Sequence, residues 1–257
     1  MKLALYQMAV IPGEPAKNLK KVTNWLNQLP EGIDIAALPE MWNTSYTLDM
    51  LNEIIDDEGH RELRALKEIA RLRNLNIVAG SIAVKSGEKF RNRAIIIDCN
   101  GQVIYHYDKV HLVPMLDEPL FLESGDHFGT FELADSKMGI IICYDLRFPE
   151  MTRKLALEGA EIIYVVAEWP HVRIDHFLAL LKARAIENQC YIVACNAVGE
   201  CGGTVFGGRS MVIDPSGEVA VEAAVSEETV VVEIDIEESE VIRQAIPVFE
   251  SRRTDLY

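Results

Sequence analysis

A strand and a helix meet in the stretch Met138-Gly-Ile-Ile-Ile-Cys-Tyr-Asp-Leu-Arg-Phe-Pro-Glu150. Its first five residues are apolar or glycine, which predicts a buried strand, and Pro149 is typical of the first turn of a helix. Beyond it the chain continues to alternate between the two kinds of pattern. We predict a helix at Pro149–Glu158, a strand at Ile162–Ala167, a helix at Asp175–Asn188 and a strand at Tyr191–Cys195.

The same alternation opens the chain. Apolar runs predict strands at Lys2–Ala9 and Ile33–Leu38, and a helical spacing of apolar residues follows each of them, at 17–29 and 63–70. Turn residues separate several shorter runs between these two halves and predict hairpins. No linker or repeat interrupts the series, so we expect one domain over residues 1–257, with two packed sheets and helices outside.

The composition limits the classes of function. Lysine and arginine number 25 against 40 aspartates and glutamates, and the net charge of −15 repels phosphate backbones and anionic lipid. We therefore expect no nucleic-acid partner and no membrane partner. No apolar stretch approaches the roughly 18 residues that a membrane span needs. The five cysteines contain no C-x-x-C pair, which favours a reducing compartment and predicts a cytoplasmic protein.

Three predicted strands each end in a candidate reactive side chain. Cys143 precedes a helix, and the partial positive charge of a helix N-terminus lowers the pKa of a thiol. Glu40 follows the strand Ile33–Leu38 and is a candidate general base, whereas Lys109 follows a third strand and is a candidate donor to an oxyanion. Taken alone, each has an ordinary interpretation as a core cysteine, a loop acid or an exposed lysine. Together they indicate one site, because strand ends of a common sheet converge.

Sequence blocks around these residues resemble the signature of the nitrilase, or carbon–nitrogen hydrolase, superfamily. The blocks are Leu38-Pro-Glu40, Tyr107-Asp-Lys-Val-His-Leu112 and Cys143-Tyr-Asp-Leu-Arg-Phe-Pro-Glu150, in the family's order of Glu, Lys and Cys. Two later segments, 183–189 and 214–218, are similar to blocks that follow the catalytic cysteine in that family, so the resemblance covers essentially the whole chain. It implies a four-layer α-β-β-α sandwich, with two central mixed sheets and helices outside.

The resemblance also implies an amidase mechanism with a Glu-Lys-Cys triad and neither cofactor nor metal. Glu40 would act as general base for Cys143, which attacks an amide carbon and forms a thioester. Lys109 and the backbone N–H of Tyr144 would bind the oxyanion. Glu118 resembles the family's second glutamate, which positions the substrate and supports the lysine. Its alternative interpretation is a solvated loop residue.

A narrower resemblance is to the bacterial omega-amidase branch, through Ala167-Glu-Trp-Pro170, the run 189–196 and the tail 246–257. It implies cleavage of the terminal amide of a small oxo-acid amide, 2-oxoglutaramate or 2-oxosuccinamate, as part of methionine salvage. The carboxylate of such a substrate needs a cationic or hydrogen-bonding clamp. The expected substrate-binding residues are Trp42, Tyr46, Arg147, Trp169 and Arg173. For Arg147 a structural salt bridge is at least as good an interpretation, so Arg173, beside Trp169-Pro170, is the better candidate for the clamp. Arg184 with Glu187 is interpreted as a structural ion pair.

Alternatives remain open at this level. Within the family, the acyl donor could be an N-carbamoyl compound or a deaminated glutathione-like amide. Outside it, the rival classes are a metal hydrolase, a redox-sensing thiol protein and a non-catalytic binding module. The scattered histidines lack the spacing of a zinc helix, and no resolving cysteine accompanies Cys143. Family members are generally dimers or larger. A homodimer or larger homo-oligomer is therefore expected, with the tail 246–257 docking on the partner.

Overall fold

The computed structural model describes residues 1–55 and 58–256, which form two central mixed sheets with helices on both outer sides. The strands are β1 (Lys2–Gln7), β2 (Ile35–Ala37), β3 (Asn76–Ser86), β4 (Lys89–Ile97), β5 (Val103–Asp108), β6 (Phe131–Leu133), β7 (Ser136–Ile142), β8 (Ile162–Ala167), β9 (Tyr191–Asn196), β10 (Val198–Cys201), β11 (Thr204–Gly207), β12 (Met211–Ile213), β13 (Val219–Glu222) and β14 (Glu228–Glu233). The helices are α1 (Pro15–Gln28), α2 (Leu51–Ile54), α3 (His60–Arg73), α4 (Glu118–Phe121), α5 (Pro149–Leu157), α6 (Ile174–Asn188) and α7 (Glu237–Ala245). No helix in this part of the chain is long and apolar enough to cross a membrane.

The first sheet has the strand order β14-β1-β2-β3-β4-β5. Strands β1, β2 and β3 are parallel, and β4, β5 and β14 join by antiparallel pairing. Side chains alternate between the two faces of a strand, so Ala4 and Tyr6 of β1 pack in the outer core with α1 and α3, whereas Leu3 and Leu5 enter the inner core with the second sheet. Both faces of this sheet are therefore covered.

The second sheet has the strand order β13-β12-β9-β8-β7-β6, in which β7, β8 and β9 are parallel. Its outer face is covered by α5 and α6. Gly139 of β7 illustrates how closely the helix approaches, because a Cβ added there would lie 2.8 Å from a methyl carbon of Leu155. The expected four-layer α-β-β-α sandwich of mixed sheets is thus confirmed.

Most predicted elements occur within a few residues of their predicted bounds. The hairpin β10–β11 is an addition, although its Gly202-Gly203 turn between two short runs is a recognisable hairpin signal. The predicted long connection 108–125 contains a 3-10 turn at Pro114–Leu116 and the short helix α4. The tail beyond α7 leaves Ile246 and Leu256 exposed, and Tyr257 lies outside the described residues.

The turn that follows β2 fits into an irregularity of β3. The pairing of β3 with β4 shifts register between Val78 and Ser81, and Gly80 lies in this interval with a φ of +57°. A Cβ at Gly80 would lie 2.0 Å from the carbonyl oxygen of Pro39. The N–H of Ser81 in turn donates to that oxygen at 3.1 Å. Only glycine permits this approach, which fixes the backbone immediately before residue 40.

We expect Gly80→Ala to destabilise the protein by about 2–3 kcal/mol and to reduce activity, because the new methyl group displaces the backbone of Pro39. Gly87→Ala is the matched control, since Gly87 also has a positive φ of +66° but has nothing within 4 Å of an added Cβ. The control should lose only about 1–2 kcal/mol, the cost of the left-handed backbone. Urea unfolding of both variants measures the difference, and equal losses would contradict this account of Gly80.

Candidate active site

Glu40 follows β2 and is fully buried, with hydrogen-bond donors on both carboxylate oxygens. Its Oε1 accepts from Asn92 Nδ2 at 2.8 Å, from Lys109 Nζ at 2.9 Å and from the Tyr46 hydroxyl at 2.9 Å. Its Oε2 accepts from the backbone N–H of Glu168 at 2.8 Å. This set of contacts holds the carboxylate in one orientation.

Lys109 follows β5 and has no exposed surface. Its ammonium donates to Glu40 Oε1 at 2.9 Å, to Glu118 Oε1 at 2.7 Å and to the Tyr46 hydroxyl at 3.2 Å. Glu118 begins α4, and its Oε2 accepts from the backbone N–H of Val113 at 2.6 Å. Glu118 is therefore a buried partner of the lysine, and the alternative of a solvated loop residue is wrong.

Cys143 comes directly after β7, at 5% exposure, and has a φ of +48°. A non-glycine residue in this region is strained, and such strain is common where a reactive side chain must be presented. Cys143 begins the 3-10 helix Cys143–Arg147, so the N–H of Tyr144 lies in the first turn, where N–H groups lack partners within the helix. The pKa of the Cys143 thiol includes contributions from both Glu40 and Lys109, so these groups are neighbours.

The strands that carry these residues belong to two different sheets, which corrects the expectation of a common sheet. Glu40 and Lys109 follow β2 and β5 of the first sheet, but Cys143 follows β7 of the second. The three groups meet because the two sheets pack face to face with these strand ends on the same side. The site is thus built across the interface between the sheets.

Asp145 joins the two sides of this interface. Its Oδ2 accepts from the Tyr107 hydroxyl at 2.7 Å and from the N–H of Ile142 at 2.9 Å. Its Oδ1 accepts from the N–H and Nδ1 of His111, at 3.1 and 2.9 Å. Tyr107 and His111 lie two residues before and after Lys109, and Asp145 lies two residues after Cys143. One buried carboxylate therefore fixes the nucleophile relative to the lysine.

Burial and charge set the protonation of the triad. Burial and the negative charge of Glu40 raise the pKa of the Cys143 thiol well above its usual value, against the opposing effect of Lys109. The expectation of a thiol pKa lowered by a helix N-terminus is therefore wrong. Burial alone lowers the pKa of Lys109, but Glu118 and Glu40 outweigh it and hold that pKa well above its usual value. The resting site thus contains a thiol and an ammonium, and Glu40 is the candidate acceptor of the thiol proton.

A cavity of about 280 Å³ lies beside Cys143. Arg147 lines it with its guanidinium carbon 4.7 Å from the ring centre of Trp169, and Arg173 lines it from an exposed position. Among the described residues Arg147 has no ion-pair partner, so the alternative of a structural salt bridge is wrong for this residue. Apolar side chains of Val113, Met115 and Leu116 also line the cavity.

The structure places two of the expected substrate-binding residues elsewhere. Trp42 is fully buried in the outer core, where its indole N–H donates to the carbonyl of Ala79 at 2.8 Å, so it does not line the cavity. Tyr46 belongs to the carboxylate cluster, because its hydroxyl lies 2.7 Å from Glu118 Oε1 and 2.9 Å from Glu40 Oε1 and shares its one hydrogen between them. The predicted ion pair of Arg184 and Glu187 is confirmed at 3.0 Å.

Three buried residues of the site were absent from the sequence expectations: Asn92, Asp145 and Glu168. Asp145 lies inside the block that contains Cys143, and its position two residues after the nucleophile could have predicted that it belongs to the site. Glu168 directly follows the predicted strand Ile162–Ala167, so the strand-end signal also applied to it, but its contact with Glu40 is tertiary. Asn92 likewise reaches Glu40 through a tertiary contact, and no local pattern marks it. The described residues contain no group of three or more His, Cys, Asp or Glu side chains suited to holding a metal ion.

Residues 2–244 match the family model of the carbon–nitrogen hydrolases. The chain belongs to this family. Over 255 residues it is 42% identical to the 2-oxoglutaramate amidase of Bacillus subtilis strain 168, covering 99% of this chain and 98% of that protein. It is therefore a carbon–nitrogen hydrolase with a Glu-Lys-Cys triad.

Solved structures show the same fold, and one of them has an active-site cysteine. A carbon–nitrogen hydrolase superfamily protein of Xanthomonas campestris superimposes with a TM-score of 0.92 at 26% identity, covering 99% of this chain and 97% of that one. A variant of the amidase from Nesterenkonia sp. AN1, with glutamate replaced by glutamine, has a TM-score of 0.86 at 25% identity and covers 100% of this chain and 98% of its own. Its active-site cysteine carries the product of Michael addition of acrylamide.

We expect Glu40→Gln to reduce ammonia release by at least about 10³-fold, because the thiol proton then has no acceptor. Cys143 should nevertheless stay alkylatable. Removing the negative charge of Glu40 removes one of the effects that raise the thiol pKa, and Lys109 then stabilises the thiolate. Incubation with acrylamide followed by mass spectrometry tests this separation of proton transfer from nucleophilicity.

Cys143→Ala is the control for that experiment and should show neither turnover nor an adduct at this position. Circular dichroism should show both variants folded. If Glu40→Gln turned over amide at a rate near that of the unmodified enzyme, Glu40 would not be the general base.

Proposed function

We propose that this enzyme hydrolyses the terminal amide of a small 2-oxo acid, 2-oxoglutaramate or 2-oxosuccinamate, to the dicarboxylate and ammonia. The observation that carries the proposal is the guanidinium of Arg147, which lies in the cavity beside Cys143 and has no ion-pair partner within residues 1–55 and 58–256. A cation without a carboxylate partner in a protein of net charge −15 favours an anionic substrate. The identity of 42% with a 2-oxoglutaramate amidase supports the same substrate class.

The cavity matches both ends of such a substrate. Its amide lies at Cys143, and its carboxylate lies against Arg147, whose guanidinium is supported by the ring of Trp169. The methylene groups between them contact Val113 and Leu116. Arg173 and His176 line the more exposed side, where they add positive charge or hydrogen bonds for the carboxylate.

The proposed reaction has two steps. Glu40 takes the proton of Cys143 as sulfur attacks the amide carbon, and the oxyanion receives hydrogen bonds from Lys109 and the N–H of Tyr144. The Lys109 hydrogen on the long contact to Tyr46, at 3.2 Å, is the one free to move to the oxyanion. Glu40 then passes its proton to the leaving nitrogen, which departs as ammonia and leaves a thioester.

Water completes the cycle. Glu40 takes a proton from a water molecule that attacks the thioester carbon, and the resulting tetrahedral intermediate collapses with expulsion of the thiolate. Glu40 returns the proton to Cys143, and the new carboxylic acid loses its remaining proton to solvent, so the product leaves as the dicarboxylate. Glu118 contributes by holding Lys109 in place throughout, because it remains the partner of the ammonium.

We expect fast ammonia release from 2-oxoglutaramate and 2-oxosuccinamate, and slow or no release from glutamine, asparagine, an N-carbamoyl amino acid and a simple nitrile. Arg147→Gln should raise KM for 2-oxoglutaramate by about 10–100-fold, because a charge-assisted hydrogen bond is lost. The same variant should turn over a neutral aliphatic amide as well as the unmodified enzyme does. Steady-state kinetics with coupled ammonia detection measures both effects.

Arg209→Gln is a matched control, because Arg209 is an arginine already paired with Glu222 and it does not line the cavity. It should leave both substrates unaffected. Activity on N-carbamoyl compounds alone would keep the triad but replace the substrate assignment. An Arg147 variant with an unchanged KM for 2-oxoglutaramate would remove the carboxylate clamp from the proposal.

The enzyme is further proposed to be a homodimer or larger. On the outer side of helix α6, Ala179 and Ile186 are exposed and Ala183 is half-buried, with the exposed Lys182 beside them. The tail after α7 lies near this surface of the second sheet, with the ring of Phe249 at 5.4 Å from the guanidinium of Arg153 in α5. Apolar helix faces of this kind are usually covered by another protein surface.

Light scattering should therefore give at least twice the chain mass of 28.8 kDa. Ala183→Glu should lower that mass to a single chain, because it places a charge in the proposed interface. A single-chain mass for the unmodified enzyme would contradict the dimer.

Two further proposals are separate from this one. The cytoplasmic location, proposed from the free cysteines, needs cell fractionation, and a place in methionine salvage needs gene deletion.

A further inference from the structure

Glu168 is a fully buried acid that the reaction steps above do not use. It follows β8 immediately, and its backbone N–H donates to Glu40 Oε2 at 2.8 Å. Its side chain turns toward the segment that carries Tyr46, where Oε2 lies 3.0 Å from the hydroxyl oxygen of Ser45. Its Oε1 is buried and has no hydrogen-bond partner in the described residues.

The supply of hydrogen-bond donors distinguishes Glu168 from the other buried acids nearby. Asp145 accepts four hydrogen bonds and Glu40 also accepts four, as suits an ionised carboxylate. Glu168 has one polar contact, to a hydroxyl that can equally accept. An ionised Glu168 would keep a charged oxygen out of water without any donor, which is costly, whereas a carboxylic acid would leave only a carbonyl oxygen unpaired.

The charges around Glu168 also favour its protonated form. The titratable groups that face it are Glu40, Lys109 and, through Ser45, the thiol of Cys201 on β10. Lys109 is the ammonium shared by Glu40 and Glu118, so it does not compensate a third carboxylate. Burial first, and then the charge of Glu40, raise the pKa of Glu168 well above its usual value, against weaker opposing effects of Ser45 and Lys109.

The protonated acid also completes a chain of hydrogen bonds. A proton on Oε2 of Glu168 is donated to Ser45 Oγ, and the Ser45 hydroxyl is then free to donate to the sulfur of Cys201. Ser45 has a φ of +54° and precedes Tyr46, whose hydroxyl bridges Glu40 and Glu118. Glu168 therefore contacts the general base directly through its backbone and indirectly through this turn.

We propose that Glu168 is a neutral carboxylic acid in the working enzyme and a positioning residue for Glu40. It holds the Ser45–Tyr46 turn beneath the carboxylate cluster while adding no negative charge there. Neutrality matters because a charged Glu168 would add repulsion beside Glu40 without a cation to offset it, since Lys109 is already shared by Glu40 and Glu118.

Infrared spectroscopy tests the protonation state without any substrate, so its outcome is independent of the substrate assignment. The difference spectrum between the unmodified enzyme and Glu168→Gln at neutral pH should contain the carbonyl stretch of a protonated carboxylic acid. Asp145→Asn is the matched control, and its difference spectrum should contain only carboxylate stretches. Carboxylate bands in the Glu168 spectrum would overturn the proposal.

Kinetics test the positioning role. Glu168→Gln keeps a neutral hydrogen-bonding group and should lose less than about tenfold in kcat, with the acid limb of kcat/KM at the same pH as in the unmodified enzyme. Glu168→Leu removes the contact to Ser45 and should lose at least tenfold more in kcat than the glutamine variant does. An acid limb of kcat/KM that moves to lower pH in Glu168→Gln would show that a negative charge had been removed and would contradict a neutral Glu168. Equal kcat in the two variants would exclude positioning through Ser45.

A second variant covers the case in which the glutamine variant does not fold. Ser45→Ala removes the acceptor of the proposed acid proton and leaves Glu168 in place. In the difference spectrum against the unmodified enzyme, the carbonyl band of the acid should move to higher frequency, as expected when its O–H loses a hydrogen bond. An absence of any carboxylic acid band in that spectrum would also overturn the proposal.

Discussion

The ammonium of Lys109 is the constraint on which the site depends. A fully buried cation is tolerated only where opposite charges and hydrogen-bond acceptors surround it, because desolvation of an unpaired charge costs more than a fold of this size can compensate. Glu40 and Glu118 supply those charges at 2.9 and 2.7 Å. The register of β4 and β5, the start of α4 and the turn after β2 all have to place their side chains around this one nitrogen.

The first sheet places these side chains around Lys109, and the second sheet supplies the nucleophile from the opposite side. Glu40 lies at the carboxyl end of β2 in the first sheet, and Cys143 lies at the carboxyl end of β7 in the second. The carboxylate of Asp145 bonds to residues on either side of Lys109 and to the backbone before Cys143. The geometry of the triad is therefore a property of the interface between the sheets, and any change in sheet packing would alter it.

The acids of the site differ in function because they differ in their supply of donors. Glu40 has an amide, an ammonium, a phenol and a backbone N–H, so it stays an acceptor; Glu168, equally buried, has one hydroxyl. Arg147 balances the negative field on the substrate side, where it stacks on Trp169 and has no carboxylate partner among the described residues. In the proposed reaction, an acidic protein thus binds an anion at Arg147 and still uses a carboxylate base.

The sequence by itself determined the elements and the triad. Apolar runs located the strands and a helical spacing of apolar residues located the helices. The strand-end positions of Glu40, Lys109 and Cys143, together with the family resemblance of the blocks around them, indicated the chemistry. Only the tertiary structure decided that Cys143 belongs to the other sheet, that Trp42 is a core residue, and that Glu168, 128 residues away in sequence, bonds to Glu40. Local patterns encode which face of an element is apolar, but which polar groups meet depends on how the sheets pack, and that information is spread over the whole chain.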